Sequence, residues 1–187
     1  MMGQAGVYSK FATCWHESLH ESAAMWKLYS AEHAGVAIVS TPLRMHQAVD
    51  LTPYNSGVLS PVEYMDFEKD DMTLRPVSLG FGRSAMPGLL KRKSFQHENE
   101  VRGLIFFEDH AKMKLPSPFT FDEYRKRIQE VNPIGISVSV DLNHLIEEIY
   151  ISPLAKSHFT EAVEVMAKRH GLDDRIRTSG LLGEPVW

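Results

Sequence analysis

One cysteine, Cys14, stands in 187 residues. That excludes an internal disulfide and a zinc site built from several thiolates. No apolar run approaches the roughly 18 residues of a membrane-spanning helix. The opening MMGQAGVYSKFATCW also lacks the long apolar core of a secretory signal. No membrane partner and a cytoplasmic location are therefore expected. Neither charge sign dominates: 20 Lys and Arg stand against 24 Asp and Glu, a formal net charge of −4. That balance excludes a generally basic nucleic-acid binder and leaves room for a local basic patch. Internal repeats and low-complexity tracts are missing too. What is present is ordinary for a globular protein: 43% apolar and 24% charged residues. One domain over residues 1–187 with its own core is expected.

The most informative stretch is Lys91 to Phe107, KRKSFQHENEVRGLIFF. Leu104 to Phe107 reads as a buried strand, and the polar residues before it lie at the strand's mouth. A sheet holds such groups rigidly while leaving them open to solvent. Glu98 and Glu100 are two apart. In extended geometry both carboxylates face one side, and repulsion between them raises the pKa of one. The plainer alternative is a solvated strand end, with both acids paired to Lys91, Lys93 or Arg102.

Taken in order, the chain reads as an α+β fold: one compact mixed sheet of short strands flanked by helices. A strand is expected over Val7 to Trp15. Ser18 with Glu21 reads as a capping box opening a helix to Tyr29, buried on more than one side. Gly35 to Val39 reads as a central strand. Thr41 before Pro42 caps a helix to Val49. Gly57 to Phe67 reads as a strand broken at Pro61. Residues 72–90 form a long loop or lid, with a short helix near Leu89 to Lys93. Thr120 with Glu123 is a second capping box, opening a helix to Glu130. Ile134 to Val140 alternates as a strand. Asp141 caps a helix, and Ile149 to Ile151 reads as a strand. Ser157 to His170 is an amphipathic helix ended by Gly171, and Arg175 to Thr178 is a last edge strand.

Other residues carry weaker signals. HESLH, His16 to His20, matches the H-E-x-x-H zinc motif, which needs both imidazoles on one helical face. A helix starting at Ser18 leaves His16 outside it, so metal-dependent hydrolysis ranks third and no metal is expected. Asp66, Glu68, Asp70 and Asp71 lack the Gly and terminal Glu spacing of a calcium loop and read as a solvated patch. Trp15, Trp26 and Tyr29 read as core, and Cys14 as a small buried apolar residue. Lys91, Arg92, Lys93, Arg102, Lys112 and Lys114 form the most basic section. They read as solvated surface or as a phosphate-binding patch.

Several stretches taken together resemble one family. They are Cys14-Trp15, His20 to Tyr29, Gly35 to Ile38, Lys91 to Arg102, Val140 to Pro153, and Gly171-Leu172 with Arg177 to Ser179. They are similar to the bacterial and phage family catalogued as domain of unknown function 2971. Members of that family begin earlier. The resemblance thus implies a natural short form, or a partner chain that supplies the front segment. That segment in relatives looks like the opening of ADP-ribosyltransferases. Here Ser40-Thr41 and Glu98-x-Glu100 follow the order of those enzymes' second and third motifs. The first motif has no counterpart, and Pro42 stands at the third Ser. The resemblance implies a toxin or phage-conflict effector that uses NAD. Glu100 is then the central acid, Glu98 its acceptor-side partner, and Ser40 or Thr41 positions Glu100. Lys91, Lys93 and Arg102 meet phosphates. The chemistry suits a carboxylate beside an oxocarbenium-like ribose. The alternative is a non-catalytic module binding a nucleotide, nucleic acid or protein. Thr41 as a plain helix cap stays open beside the catalytic role.

Overall fold

The computed structural model describes residues 9–30, 34–54, 56–70, 86–107, 120, 122, 123, 126, 127, 130 and 134–181. The α+β chain divides into two compact units. Unit 1 comprises Met1–Glu17 and Leu51–Val138, and unit 2 comprises Ser18–Asp50 and Ser139–Trp187.

Unit 1 is built on a three-stranded antiparallel sheet. β1 (Ser9–His16) and β3 (Ser56–Pro61) flank the central β6 (Glu100–Phe107). Register runs from Ser9 opposite Phe107 to His16 opposite Glu100, and from Ser56 opposite Phe106 to Pro61 opposite Val101. A second, parallel ribbon joins β4 (Glu63–Met65) to β5 (Leu90–Arg92). The break between β3 and β4 falls at Val62, next to the expected Pro61, although the Val62 amide still donates to the Glu100 carbonyl of β6. A single helical turn, Met86–Leu89, brings Leu89 onto Val58, Leu104 and Phe106 to close the core. A Cβ added at Gly88 would lie 2.8 Å from a Leu104 methyl, so glycine lets this turn approach closely. Of the expected 72–90 lid, residues 72–85 lie outside the described ones.

Unit 2 carries a sheet ordered β2 (Val36–Val39), β7 (Glu148–Ile151), β8 (Ile176–Thr178). β2 pairs antiparallel and β8 parallel to β7. The long helix Ser157–Arg169 packs Val163 and Ala167 on Ile146, Ile149 and Leu172. It ends where Gly171 takes a positive φ of 66°, which suits glycine at a helix C-terminus. Helix Pro42–Ala48 begins as its sequence predicts, with Thr41 accepting from the Arg44 amide. Asp141 caps the single turn Leu142–Leu145.

Four sequence expectations are corrected. The first helix of unit 2 spans Ala23–Tyr29 and is capped by Ser22, not Ser18. Ser18 instead turns on itself, its hydroxyl donating to the His20 carbonyl, and Glu21 accepts from the Trp26 indole. That helix has no fully buried residue, and Tyr29 is 69% exposed, so it is not buried on several sides and Tyr29 is not core. β2 is an edge strand, not a central one. Ile134 to Ser139 forms no strand; only Val140 makes an isolated bridge, to Val49. β propensity describes a fit to neighbouring strands, and alternation without a partner strand yields none. The Thr120–Glu123 capping box forms as expected, with reciprocal bonds of 2.6 and 3.2 Å.

Candidate functional site

One face of β6 changes character along its length. Phe106 and Leu104 lie in the core of unit 1, and the next residues on that face are Arg102 and Glu100. Register sets Cys14 and Ser60 opposite Arg102, and His16 opposite Glu100. The apolar core therefore runs directly into charged groups. Glu100 is 4% exposed, and Ser60, opposite Arg102, is buried as well.

A buried carboxylate needs partners, and Glu100 has several. Its Oε1 accepts from Arg102 Nε at 2.7 Å, and its Oε2 from Arg102 Nη2 at 3.1 Å and Lys91 Nζ at 2.9 Å. Lys91 Nζ also donates to Glu98 Oε2 at 2.5 Å. Arg102 Nη1 donates to the Gly88 carbonyl at 2.7 Å, tying the cluster to the turn that covers the core. The Glu100 amide donates to the Tyr64 hydroxyl, and its carbonyl accepts from the Val62 amide. Two cations thus meet two anions, and the cluster has no formal charge left over.

Glu98 and Glu100 do converge, but not by the extended geometry read from their spacing. Glu98 ends a 3-10 segment, Lys93–Glu98, and Asn99 sits in the left-handed region at φ 37°. Asparagine tolerates that conformation better than most residues. Lys91 brings the carboxylates together. The expectation of a raised acid is overturned for Glu100. Burial pushes its pKa up, but hydrogen bonds from Arg102, Cys14 and Lys91 outweigh burial and lower it to about 2. Burial also opposes the charged Lys91, and bonds to Glu100 and Glu98 again win, raising its pKa. Cys14 is exposed, not buried as expected. Partial burial and the Glu100 carboxylate raise its thiol's pKa, which disfavours the nucleophilic thiolate.

The 3-10 segment is tied at both ends. At its start Lys91 reaches across to Glu98. At its end, His16 Nδ1 and the Glu98 carbonyl are 2.6 Å apart, and Asn99 exchanges bonds of 2.6 and 2.8 Å with the Glu17 backbone. Between these ties Arg92, Lys93, Phe95, Gln96 and His97 are exposed. Lys93 makes no ion pair with any described residue. Lys91 Nζ lies 5.1 Å from the centroid of Phe95, and the Arg92 guanidinium 5.2 Å from that of Phe67. The sequence does not disclose the role of these two rings; the KRKSF pattern marks only the charge.

Ser40 and Thr41 belong to unit 2, where both hydroxyls are engaged. Ser40 Oγ donates to the Leu145 carbonyl at 2.6 Å, and Thr41 caps its helix. HESLH is not helical: His16 closes β1, and the helix begins at Ala23. The metalloprotease geometry is thus absent from that motif. Among the described residues no group of three or more His, Cys, Asp or Glu is arranged to hold a metal ion. Asp66 and Asp70 bond the turn's own amides, at 3.1 and 2.9 Å. No helix of the described residues is long and apolar enough to cross a membrane. Compared with protein-family models, curated proteins and solved structures, the chain matches none.

Proposed function

We propose that the chain is a non-catalytic nucleic-acid-binding module whose binding surface is the Arg92–His97 segment. The carrying observation is the division of labour within that loop. Lys91, Glu98, Glu100 and Arg102 satisfy one another in a closed, neutral cluster. Arg92 and Lys93 remain as solvent-facing cations on a segment fixed at both ends. A loop already held in place loses little freedom on binding, and exposed cations on it suit phosphates. The cluster, with Glu100 buried and Glu98 part-buried, then acts as the loop's anchor, and the neutral sum of its two acids and two cations keeps it from repelling a polyanion.

The test is anisotropy of a labelled oligonucleotide over a salt series. Arg92→Gln with Lys93→Gln should weaken binding and flatten the salt slope by about 2, roughly one for each phosphate no longer neutralised. Lack of binding at low salt, or an unchanged slope in the double variant, rejects the proposal.

A second reading is ADP-ribosyl transfer from NAD, supported by the convergence of Glu98 and Glu100 on one ammonium and by an ionised Glu100. In that reading Lys91, Lys93 and Arg102 meet the phosphates. It predicts NAD consumption by the protein and its loss in Glu100→Gln. Equal turnover in both proteins, or none in either, sinks it.

A further inference from the structure

Among the described residues of unit 1, two phenylalanines face solvent. Phe67 is 45% exposed and Phe95 43%. Their positions share a cause in the backbone. β4 and β5 run parallel, with Met65 opposite Arg92. Parallel strands send their following residues out at the same end of the ribbon. Phe67 leaves β4 at that end, and Lys93 and Phe95 leave β5 there. Each ring has a cation over it, Arg92 on Phe67 and Lys91 on Phe95. Such pairings hold an aromatic ring in a preferred orientation. The acidic turn beside Phe67 is partly self-occupied. Asp66 accepts from the Glu68 amide and lies 3.5 Å from Lys69, while Asp70 accepts from the Asp66 amide.

We infer that this ribbon end binds an unpaired nucleic-acid strand, stacking bases on Phe95 and Phe67 while Arg92 and Lys93 take its phosphates. The inference rests on the nucleic-acid-binding reading and narrows its ligand. A duplex hides its base faces within the stack and offers only backbone and groove edges. Exposed rings gain nothing from those. A single strand offers a flat face with every base, and stacking on aromatic side chains tolerates any sequence. Two cations and one ring on a fixed loop, with a second ring leaving the neighbouring strand at the same end, match that ligand, whereas phosphate binding alone gives the exposure of the two rings no part.

Wild-type protein is titrated with a labelled thymidine oligonucleotide and with a duplex of equal length, at one low salt concentration. The single strand should bind about tenfold tighter. Phe95→Leu and Phe67→Leu should each weaken single-strand binding about tenfold and leave duplex binding unchanged. Phe95→Trp and Phe67→Trp should keep or tighten it, which a purely structural role of the rings does not predict. Lys93→Gln should weaken both ligands. Equal affinity for strand and duplex overturns the inference and leaves the broader reading standing. So do Leu variants that fold, by circular dichroism, and bind the strand as wild type does; that result points to the rings as anchors for a protein partner. Binding of neither nucleic acid removes both.

Discussion

Unit 1 and unit 2 fasten their polar corners in opposite ways. In unit 1, charge meets charge: Arg102 and Lys91 direct their donors to carboxylates, one of them buried. In unit 2, the side chains around the turn Leu142–Leu145 bond backbone carbonyls. Ser40 takes Leu145, Arg44 takes His144, and Arg175 takes Asn143 and Ile146. Those carbonyls are ones a short helix leaves unpaired at its C-terminus, and cations there also suit the helix dipole. Peptide carbonyls do not titrate, whereas carboxylates do. The bonds that hold Arg102 and Lys91 should therefore fail in acid, whereas those of Ser40, Arg44 and Arg175 to carbonyls should not; at that turn the acid-sensitive group is the Asp141 cap, whose carboxyl pKa is lowered by its bonds to His144.

The sharpest way to break this contrast is Glu100→Ala. It leaves the part-buried Arg102 without its carboxylate, at the low end of the cost of losing one member of a buried pair, about 3 kcal/mol. Urea denaturation should show a lower midpoint, and a loss under about 1 kcal/mol would mean the cluster contributes little. Acid titration comes next. The folded pKa of Glu100, about 2, lies below its ordinary 4.5. Its contribution is therefore complete above pH 4.5 and fades as pH falls toward 2. That drop, at about 1.4 kcal/mol per pH unit, corresponds to about 3 kcal/mol. Glu100→Gln should flatten the acid limb of stability against pH, and an unchanged limb places the acid sensitivity elsewhere. Arg175→Ala should cost about 2 kcal/mol, since it removes charged hydrogen bonds to two carbonyls. Its loss should be the same at about pH 4 as at about pH 7, because the carbonyls hold no titrating proton. The smallest effect is Thr41→Ala, about 1 kcal/mol for a lost helix cap. A change in NAD consumption with that variant would give Thr41 a duty beyond capping.

Local chemistry in the sequence foretells much of this. Thr41 before Pro42, Asp141, Gly171 and the Thr120–Glu123 pair each act through neighbours within a few residues, and each forms as expected. The strand at Leu104 to Phe107 is legible from its apolar run, and the last strand, expected over Arg175 to Thr178, forms over Ile176–Thr178. Ile134 to Ser139 misleads because a strand is a property of a pair, and the partner is not written in the segment itself. Ser18 misleads because its hydroxyl is satisfied by a tighter local turn, and the helix is capped four residues later by Ser22. At the candidate site, the sequence marks Glu98, Glu100, Lys91 and Arg102 as neighbours along the chain. Their actual arrangement depends on long-range pairings with Cys14, Ser60 and Tyr64. No spacing rule supplies those. The lowered pKa of Glu100 follows from its cationic partners as folded, so repulsion inferred from spacing alone points the wrong way.

Asn99 acts as the frame marker between loop and sheet. Side chains alternate faces along β6, so a single inserted or deleted residue near this bend would turn the strand over by one step. With one residue deleted, Val101 would take the place of the buried acid beside Arg102, and with either change Leu104 would leave the core for the opposite face. Length variation should therefore be tolerated between Lys93 and Gln96 far better than at Asn99 itself.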